Sequence, residues 1–125
     1  NGVQLGGHVE IQDWVTIGGM TPVHQFTKVG CHSFIGGGYR IVQDIPPYIL
    51  AMGEPLKYAG INSIGLRRRN FPPDIRNIIK KIYKIIFQSK TNISESIKLI
   101  NDGYAGYDEA QVIIEFIKNS DRGLI

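Results

Sequence analysis

The sequence has one cysteine, one tryptophan and two methionines among its 125 residues, and no run of 18 apolar residues. The lone Cys31 excludes an internal disulfide and fits a reducing, cytoplasmic compartment, with the thiol read as a small buried side chain. The missing apolar run excludes a membrane-spanning helix. No signal peptide is visible in the residues present. A strong excess of either charge is also missing, 14 Lys and Arg standing against 11 Asp and Glu. The net charge of +3 permits an acidic partner without demanding nucleic acid. His8 and His24 have no Cys, Asp or Glu near them in the repeat described next, so a three-ligand metal site is not expected.

What the sequence does have is a six-residue ladder. Leu5, Ile11, Ile17, Val23, Val29, Ile35 and Ile41 follow one another without a slip. A period of six fits neither the 3.6 of a helix nor simple strand alternation. It marks a hexapeptide β-helix, in which each aliphatic side chain plugs the interior of a coiled parallel sheet. Gly6, Gly18, Gly30 and Gly36 follow four of the plugs, and a positive φ is expected of them. Two residues before each plug stand Val3, Val9, Val15, Thr21, Thr27 and Ser33, which suit a flat strand; Tyr39 breaks that column.

Three hexapeptides make one coil, so residues 18 apart stack at about 4.8 Å. Gly7 then lies beside Gln25, and His24 falls next to the Gly6–His8 turn. His24 takes a slot that is usually glycine here, so its imidazole is expected to project outward. Two imidazoles and an amide in one cleft can bind hydroxyl or phosphate groups and move protons. A bare glycine N–H beside them can hold an oxyanion. The alternative is two solvated histidines brought together by the period alone. A second column sets Gly18 and Gly19 against Gly36 and Gly37, a slot without side chains that suits an acyl chain, or tight turns only. Trp14, Phe26 and Phe34 are expected to pack at a subunit interface or under helices.

The repeat is read as stopping at Ile41, where Val42 replaces the glycine, and Asp44-Ile45-Pro46-Pro47 as closing the segment, because paired prolines cannot continue a central strand. The expected division is 1–47 for β-helix coils, 48–71 for a connecting segment and 72–125 for a three-helix domain. Arg67-Arg68-Arg69 offers guanidinium forks for phosphates or an acidic partner, or is simply solvated. Ile75, Ile78, Ile79, Ile82, Ile85 and Ile86 form one helical stripe. A second helix is expected from Asn92, with Glu95 completing a capping box, and with Ile93, Ile97 and Ile100 inward. A third starts at Asp108, paired with Gln111, and buries Val112, Ile113, Phe116 and Ile117. The chain begins inside a running repeat, and is read as the C-terminal piece of a longer protein.

Gly6-Gly7-His8-Val9 and the run Ile17-Gly18-Gly19-Met20-Thr21-Pro22-Val23-His24-Gln25-Phe26 resemble the acyl-acyl carrier protein:UDP-N-acetylglucosamine O-acyltransferase family. So do Gln43-Asp44-Ile45-Pro46-Pro47-Tyr48, Gly65-Leu66-Arg67-Arg68-Arg69 and Ser120-Asp121-Arg122-Gly123-Leu124-Ile125. The resemblance implies a homotrimer of left-handed parallel β-helices followed by a C-terminal helical bundle. It implies transfer of a 3-hydroxyacyl chain from acyl carrier protein to the 3-hydroxyl of UDP-N-acetylglucosamine, the first step of lipid A synthesis, without a covalent acyl-enzyme. No separate cofactor is implied, since the donor rides on the phosphopantetheine of the carrier protein.

Matched residue by residue, Gly7 takes the oxyanion role, and His8, His24 and Gln25 contribute to substrate binding. Gly37, set against Gly19, leaves room for a long acyl chain. Asn62, Arg68 and Arg69 match positions near the nucleotide and the phosphopantetheine. The general-base histidine falls one coil before Gly7, outside this chain, so the chain alone is expected to be inactive. Ile64 and Pro55 depart from an acidic residue and a histidine of well-known members. The other readings are the related N-acyltransferase that acts on UDP-acylglucosamine, and a non-catalytic trimeric module that binds carrier protein.

Overall fold

Each of the first six plugs sits at the end of a two-residue strand, and the strands stack in parallel. The structure, a computed structural model, describes residues 1–125, the whole chain. The first coil contains β1 (Gln4–Leu5), β2 (Glu10–Ile11) and β3 (Thr16–Ile17). The second contains β4 (Pro22–Val23), β5 (Lys28–Val29) and β6 (Phe34–Ile35). Leu5 pairs with Val23, Ile11 with Val29 and Ile17 with Ile35, each 18 residues apart. Val29, Ile35, Ile41 and Ile45 are fully buried, whereas Leu5 and Ile11 are 56% and 37% exposed at the first coil.

The column two residues before the plugs does more than suit a strand. Thr21, Thr27 and Ser33 are fully buried. Each hydroxyl donates back to the carbonyl three residues earlier, to Gly18, His24 and Gly30 at 2.7, 2.6 and 2.8 Å. A buried hydroxyl without such a partner is costly, so these side chains close the turns from inside the core.

The glycines after the plugs serve a different end from the one expected. None of Gly6, Gly18, Gly30 or Gly36 has a positive φ; the left-handed positions lie two residues further on, at His8, Trp14, Met20, Phe26 and His32. A Cβ on Gly6 would stand 2.6 Å from the Gln25 nitrogen, and one on Gly30 2.5 Å from that of Pro47. Glycine is needed there because the next coil's backbone passes too close for a methyl group. Gln12 shows another solution in the same slot, its Oε1 accepting from the Cys31 N–H at 3.0 Å.

The β-helix continues past Pro47. Ile41 bridges to Val23 at 18 residues, but Ile45 bridges to Val29 at 16. β7 (Ile49–Met52) keeps that shorter offset, pairing Ala51 with Ile35. The third coil is therefore complete but two residues short, and the shortening falls between Ile41 and Ile45. β8 (Lys57–Ile61) then turns back antiparallel on β7, and α1 (Ser63–Arg68) follows. The expected connecting segment 48–71 is thus a strand of the coil, its hairpin partner and a short helix. Pro46 and Pro47 are tolerated because they sit at a corner, where no ladder hydrogen bond is needed.

Three helices complete the chain: α2 (Pro73–Gln88), α3 (Ile93–Tyr104) and α4 (Asp108–Lys118). The buried line of α2 is Ile79, Ile82, Tyr83 and Ile86, with Ile75, Ile78 and Ile85 only partly covered. Tyr83 anchors the bundle to the third coil by donating to the Pro47 carbonyl at 2.5 Å. Asn92 caps α3 as expected, its Oδ1 accepting from Glu95 N at 2.9 Å and its amide reaching Glu95 Oε1 at 3.3 Å. Ile93 is exposed and the buried residues of α3 are Ser96 and Ile100. In α4 the N-cap is Tyr107 and Asp108 is the first helical residue. Gln111 bonds the Ala105 carbonyl instead of pairing with Asp108, and Val112 faces out while Ala110 and Ile114 face in. No helix is long and apolar enough to cross a membrane.

Candidate functional site

Three edges run along the triangular coil, and the candidate residues divide among them. On the first edge the Gly7 carbonyl accepts from Phe26 N at 3.0 Å, and the Gly6 N–H donates to the Val23 carbonyl at 2.8 Å. The Gly7 N–H donates to no protein acceptor, and nothing lies within 4 Å of where a Cβ would stand. His8 and His24 are both exposed on this edge. Gln25 and Phe26 follow His24 there. The His8 ring lies parallel on Phe26, with centroids 5.0 Å apart and planes within 3°. His24 Nδ1 is 3.2 Å from the Gln25 carbonyl. The two-residue shortening of the third coil falls directly beyond His24, so its imidazole projects to solvent. The structure therefore brings Gly7, His8, His24 and Gln25 together.

The free N–H is not peculiar to Gly7. The corresponding amides of Gly19, Gln25 and Gly37 also lack acceptors, because every corner lifts that peptide out of the ladder. What separates the Gly7 corner is the company of two imidazoles and an amide. Such a group can accept a hydroxyl proton or donate to anionic oxygens, while the N–H holds a developing oxyanion.

The third edge carries the glycine slot. Gly38 N donates to the Gly19 carbonyl at 3.0 Å, and a Cβ on Gly37 would lie 3.2 Å from that carbonyl. Gly18, against the Gly36–Gly37 backbone, has no room for a Cβ at all. Gly19, Gly37 and Gly38 are exposed, so two coils present bare backbone here. Met20, 72% exposed, stands beside them.

Asn62, Arg68 and Arg69 belong to the second edge, away from both groups. Asn62 is only 7% exposed. Its Oδ1 caps α1 by accepting from Gly65 N at 3.3 Å, and its Nδ2 donates to the His32 carbonyl at 2.9 Å. Both ends of the amide are thus engaged within the fold. The Arg69 guanidinium lies 3.4 Å over the Trp14 ring, a cation–π contact. Arg68 is exposed.

Trp14 and Arg69 adjoin a cluster that the ladder did not reveal. His32 stacks on Tyr48 at 5.7 Å and meets Phe71 edge-on at 5.0 Å. Burial holds the His32 pKa below its ordinary value, and Arg69 adds to this while Asp13 opposes it. Burial likewise pushes the Cys31 thiol up and the Tyr48 phenol up. The signal was present in the sequence: the outward column His8, Trp14, Met20, Phe26 and His32 has the same six-residue period as the plugs.

A family profile described as Udp N-acetylglucosamine O-acyltransferase, Domain 2, matches residues 44–125. An acyl-[acyl-carrier-protein]–UDP-N-acetylglucosamine O-acyltransferase of Burkholderia mallei is 42% identical over 126 residues, covering 98% of this chain and 48% of that protein. The chain thus spans about half the length of the curated relatives it matches. The UDP-N-acetylglucosamine acyltransferase structure from Francisella novicida superposes with a TM-score of 0.95 at 32% identity, over 100% of this chain and 46% of that one. The Moraxella catarrhalis UDP-N-acetylglucosamine O-acyltransferase also gives 0.95, at 34% identity, over 100% of this chain and 49% of the other. The fold is a left-handed parallel β-helix with a helical domain.

Proposed function

The chain belongs to the UDP-N-acetylglucosamine O-acyltransferase family, and on that premise we propose that it forms part of a site transferring a 3-hydroxyacyl chain from acyl carrier protein to the 3-hydroxyl of UDP-N-acetylglucosamine. That reaction is the first step of lipid A synthesis. The observation that carries the reading is the Gly7 corner, where an unengaged N–H stands among His8, His24 and Gln25. The acceptor hydroxyl attacks the thioester carbonyl while a base outside residues 1–125 takes its proton, the Gly7 N–H stabilises the oxyanion that forms, and its collapse breaks the C–S bond and releases the phosphopantetheine thiol, which takes up the proton. His8, His24 and Gln25 bind and orient the sugar nucleotide.

The protein acts as a homotrimer. One chain keeps the imidazole corner and the glycine slot on separate edges, and a threefold assembly sets one edge against a different edge of its neighbour. An acyl chain then runs along the Gly19–Gly37 backbone of one subunit while the thioester meets Gly7 of the next. Arg68 and Arg69 offer guanidinium groups to phosphates of the nucleotide or the phosphopantetheine.

The test uses the full protein, with hydroxyacyl carrier protein and UDP-N-acetylglucosamine. Replacing both His8 and His24 by alanine is expected to lower kcat/KM about tenfold or more, the effect of losing hydrogen bonds to charged groups; unchanged activity removes them from the site. Residues 1–125 alone are expected to give no transfer. Sedimentation of the full protein as a monomer during turnover would overturn the shared site. Preference for an amine acceptor on the glucosamine over the 3-hydroxyl would turn the reading toward N-acylation.

A further inference from the structure

The end of α1 carries three arginines, and only one of them is held. Arg67 and Arg68 are exposed, and no hydrogen bond, ion pair or ring contact engages either side chain. Arg69 is exposed as well, yet its guanidinium carbon stands 3.4 Å over the Trp14 ring, in contact with the ring face. Both sides of this contact are anchored by backbone. Trp14 occupies a left-handed corner of the first coil. On the other side, the Asn62 amide and the Phe71 ring both fasten α1 to His32 of the second coil. Leu66 is fully buried, and Arg69 N donates to the Gly65 and Leu66 carbonyls at 3.2 Å each. His32 stands 18 residues after Trp14, so the helix end is pinned on one rung and Arg69 reaches to the rung before it.

The ring touches only the face of the guanidinium. The N–H groups of arginine lie in the plane of its fork, and no side-chain hydrogen bond or ion pair uses those of Arg69. The one ion pair of the chain is Lys28 with Asp121. An arginine fixed in place without a carboxylate is a fork prepared for an oxyanion from outside the chain.

We propose that Trp14 is a positioning residue that holds Arg69 ready for a phosphate, either the diphosphate of the sugar nucleotide or the phosphodiester of the phosphopantetheine. This rests on the acyl-transfer reading. An unheld arginine gives up rotamer freedom when it grips an anion, whereas Arg69 has already given it up to the ring. Arg68 has no such support and contributes as a mobile charge.

The experiment measures kcat and both KM values of the full protein, for the native protein, Trp14→Leu, Trp14→Phe, Arg69→Lys, Arg69→Ala and the Trp14→Leu, Arg69→Ala double variant. Trp14→Leu is expected to raise KM for one substrate about fivefold with kcat kept, the effect of losing an exposed cation–π contact. The substrate affected identifies the phosphate. Trp14→Phe keeps a weaker π face and is expected to fall between Trp14→Leu and the native protein. Arg69→Lys keeps the charge but presents no fork. It is expected to raise the same KM at least as much, and serves as the second variant should Trp14→Leu fail to fold. The double variant is expected to match Arg69→Ala alone, because Trp14 acts only through the guanidinium.

Unchanged KM values in folded Trp14→Leu or Arg69→Lys overturn the role of Trp14 while leaving the acyl-transfer reading intact. So does a rise shared equally by both substrates, a loss in kcat alone, or losses that multiply in the double variant. Failure of the native protein to use any hydroxyacyl donor overturns both.

Discussion

At Gly6 one methyl group would stand 2.6 Å from the Gln25 nitrogen, and backbone cannot step aside as a long side chain can. Gly6→Ala is therefore expected to destabilise the protein by about 1–3 kcal/mol, the range for overpacking, read from a urea midpoint. Its neighbour behaves oppositely. Gly7 has open space around its Cβ position and no positive φ. Gly7→Ala is expected to fold within about 0.5 kcal/mol of the native protein yet to lose transfer, because the methyl obstructs approach to the N–H. Equal loss of stability in both variants would remove the distinction. The spacing of these glycines was legible in the sequence, but their physical reason was not. A glycine needed for close approach and one needed for positive φ look alike in a one-dimensional pattern, and here the left-handed corners carry His8, Trp14, Met20, Phe26 and His32.

One residue matched to a ligand position, Asn62, also holds an element of this chain. Asn62 caps α1 and donates to His32, tying the helix to the second coil. Asn62→Ala is expected to cost about 1–2 kcal/mol through loss of the cap, with Asn62→Asp intermediate because it restores only the acceptor. Calorimetry checks this, and a normal Tm with weakened nucleotide binding would instead return Asn62 to the ligand. The same junction carries a pH dependence. The folded His32 pKa is lowered, chiefly by burial, so the unfolded chain binds the proton more readily. Stability is then full above the ordinary value of 6.5 and falls as the pH drops toward the folded value. His32→Gln is expected to flatten that slope in urea titrations below this pH; an unchanged slope assigns the loss to another group. The helices themselves were legible from apolar spacing and from the Asn92 cap. Their inward faces were less so, since Val112 points out and Tyr83 in; the neighbouring element, not the helix period, decides which side is covered. β7 was hidden for a similar reason: prolines at a corner do not interrupt a coil.

Across the whole molecule, one fully buried carboxylate joins the last residues to the β-helix. Asp44 Oδ1 accepts from Lys28 N at 2.8 Å, and Oδ2 accepts from Ser120 Oγ at 2.5 Å and Arg122 N at 3.4 Å. Its backbone pairs with the tail as well, Asp44 N donating to the Gly123 carbonyl and Ile125 N to that of Asp44. Lys28 Nζ extends the joint to the Asn119 carbonyl and to Asp121. None of this follows from the hexapeptide period, because it depends on the shortened third coil, whose missing two residues let Asp44 turn inward. The sequence shows Asp44 only as a polar residue before two prolines. Asp44→Ala leaves the part-buried Lys28 amide and Ser120 hydroxyl without their acceptor, at about 1 kcal/mol for each such group. The joint spans both parts of the fold, so the loss is expected to be shared between them. Hydrogen exchange on the variant should show Lys28 and residues 119–125 losing protection together, within a single denaturation transition at lower urea. Loss confined to the tail, with the β5 amides as protected as before, would mean that the tail merely rests on the β-helix and that the two parts are stable independently.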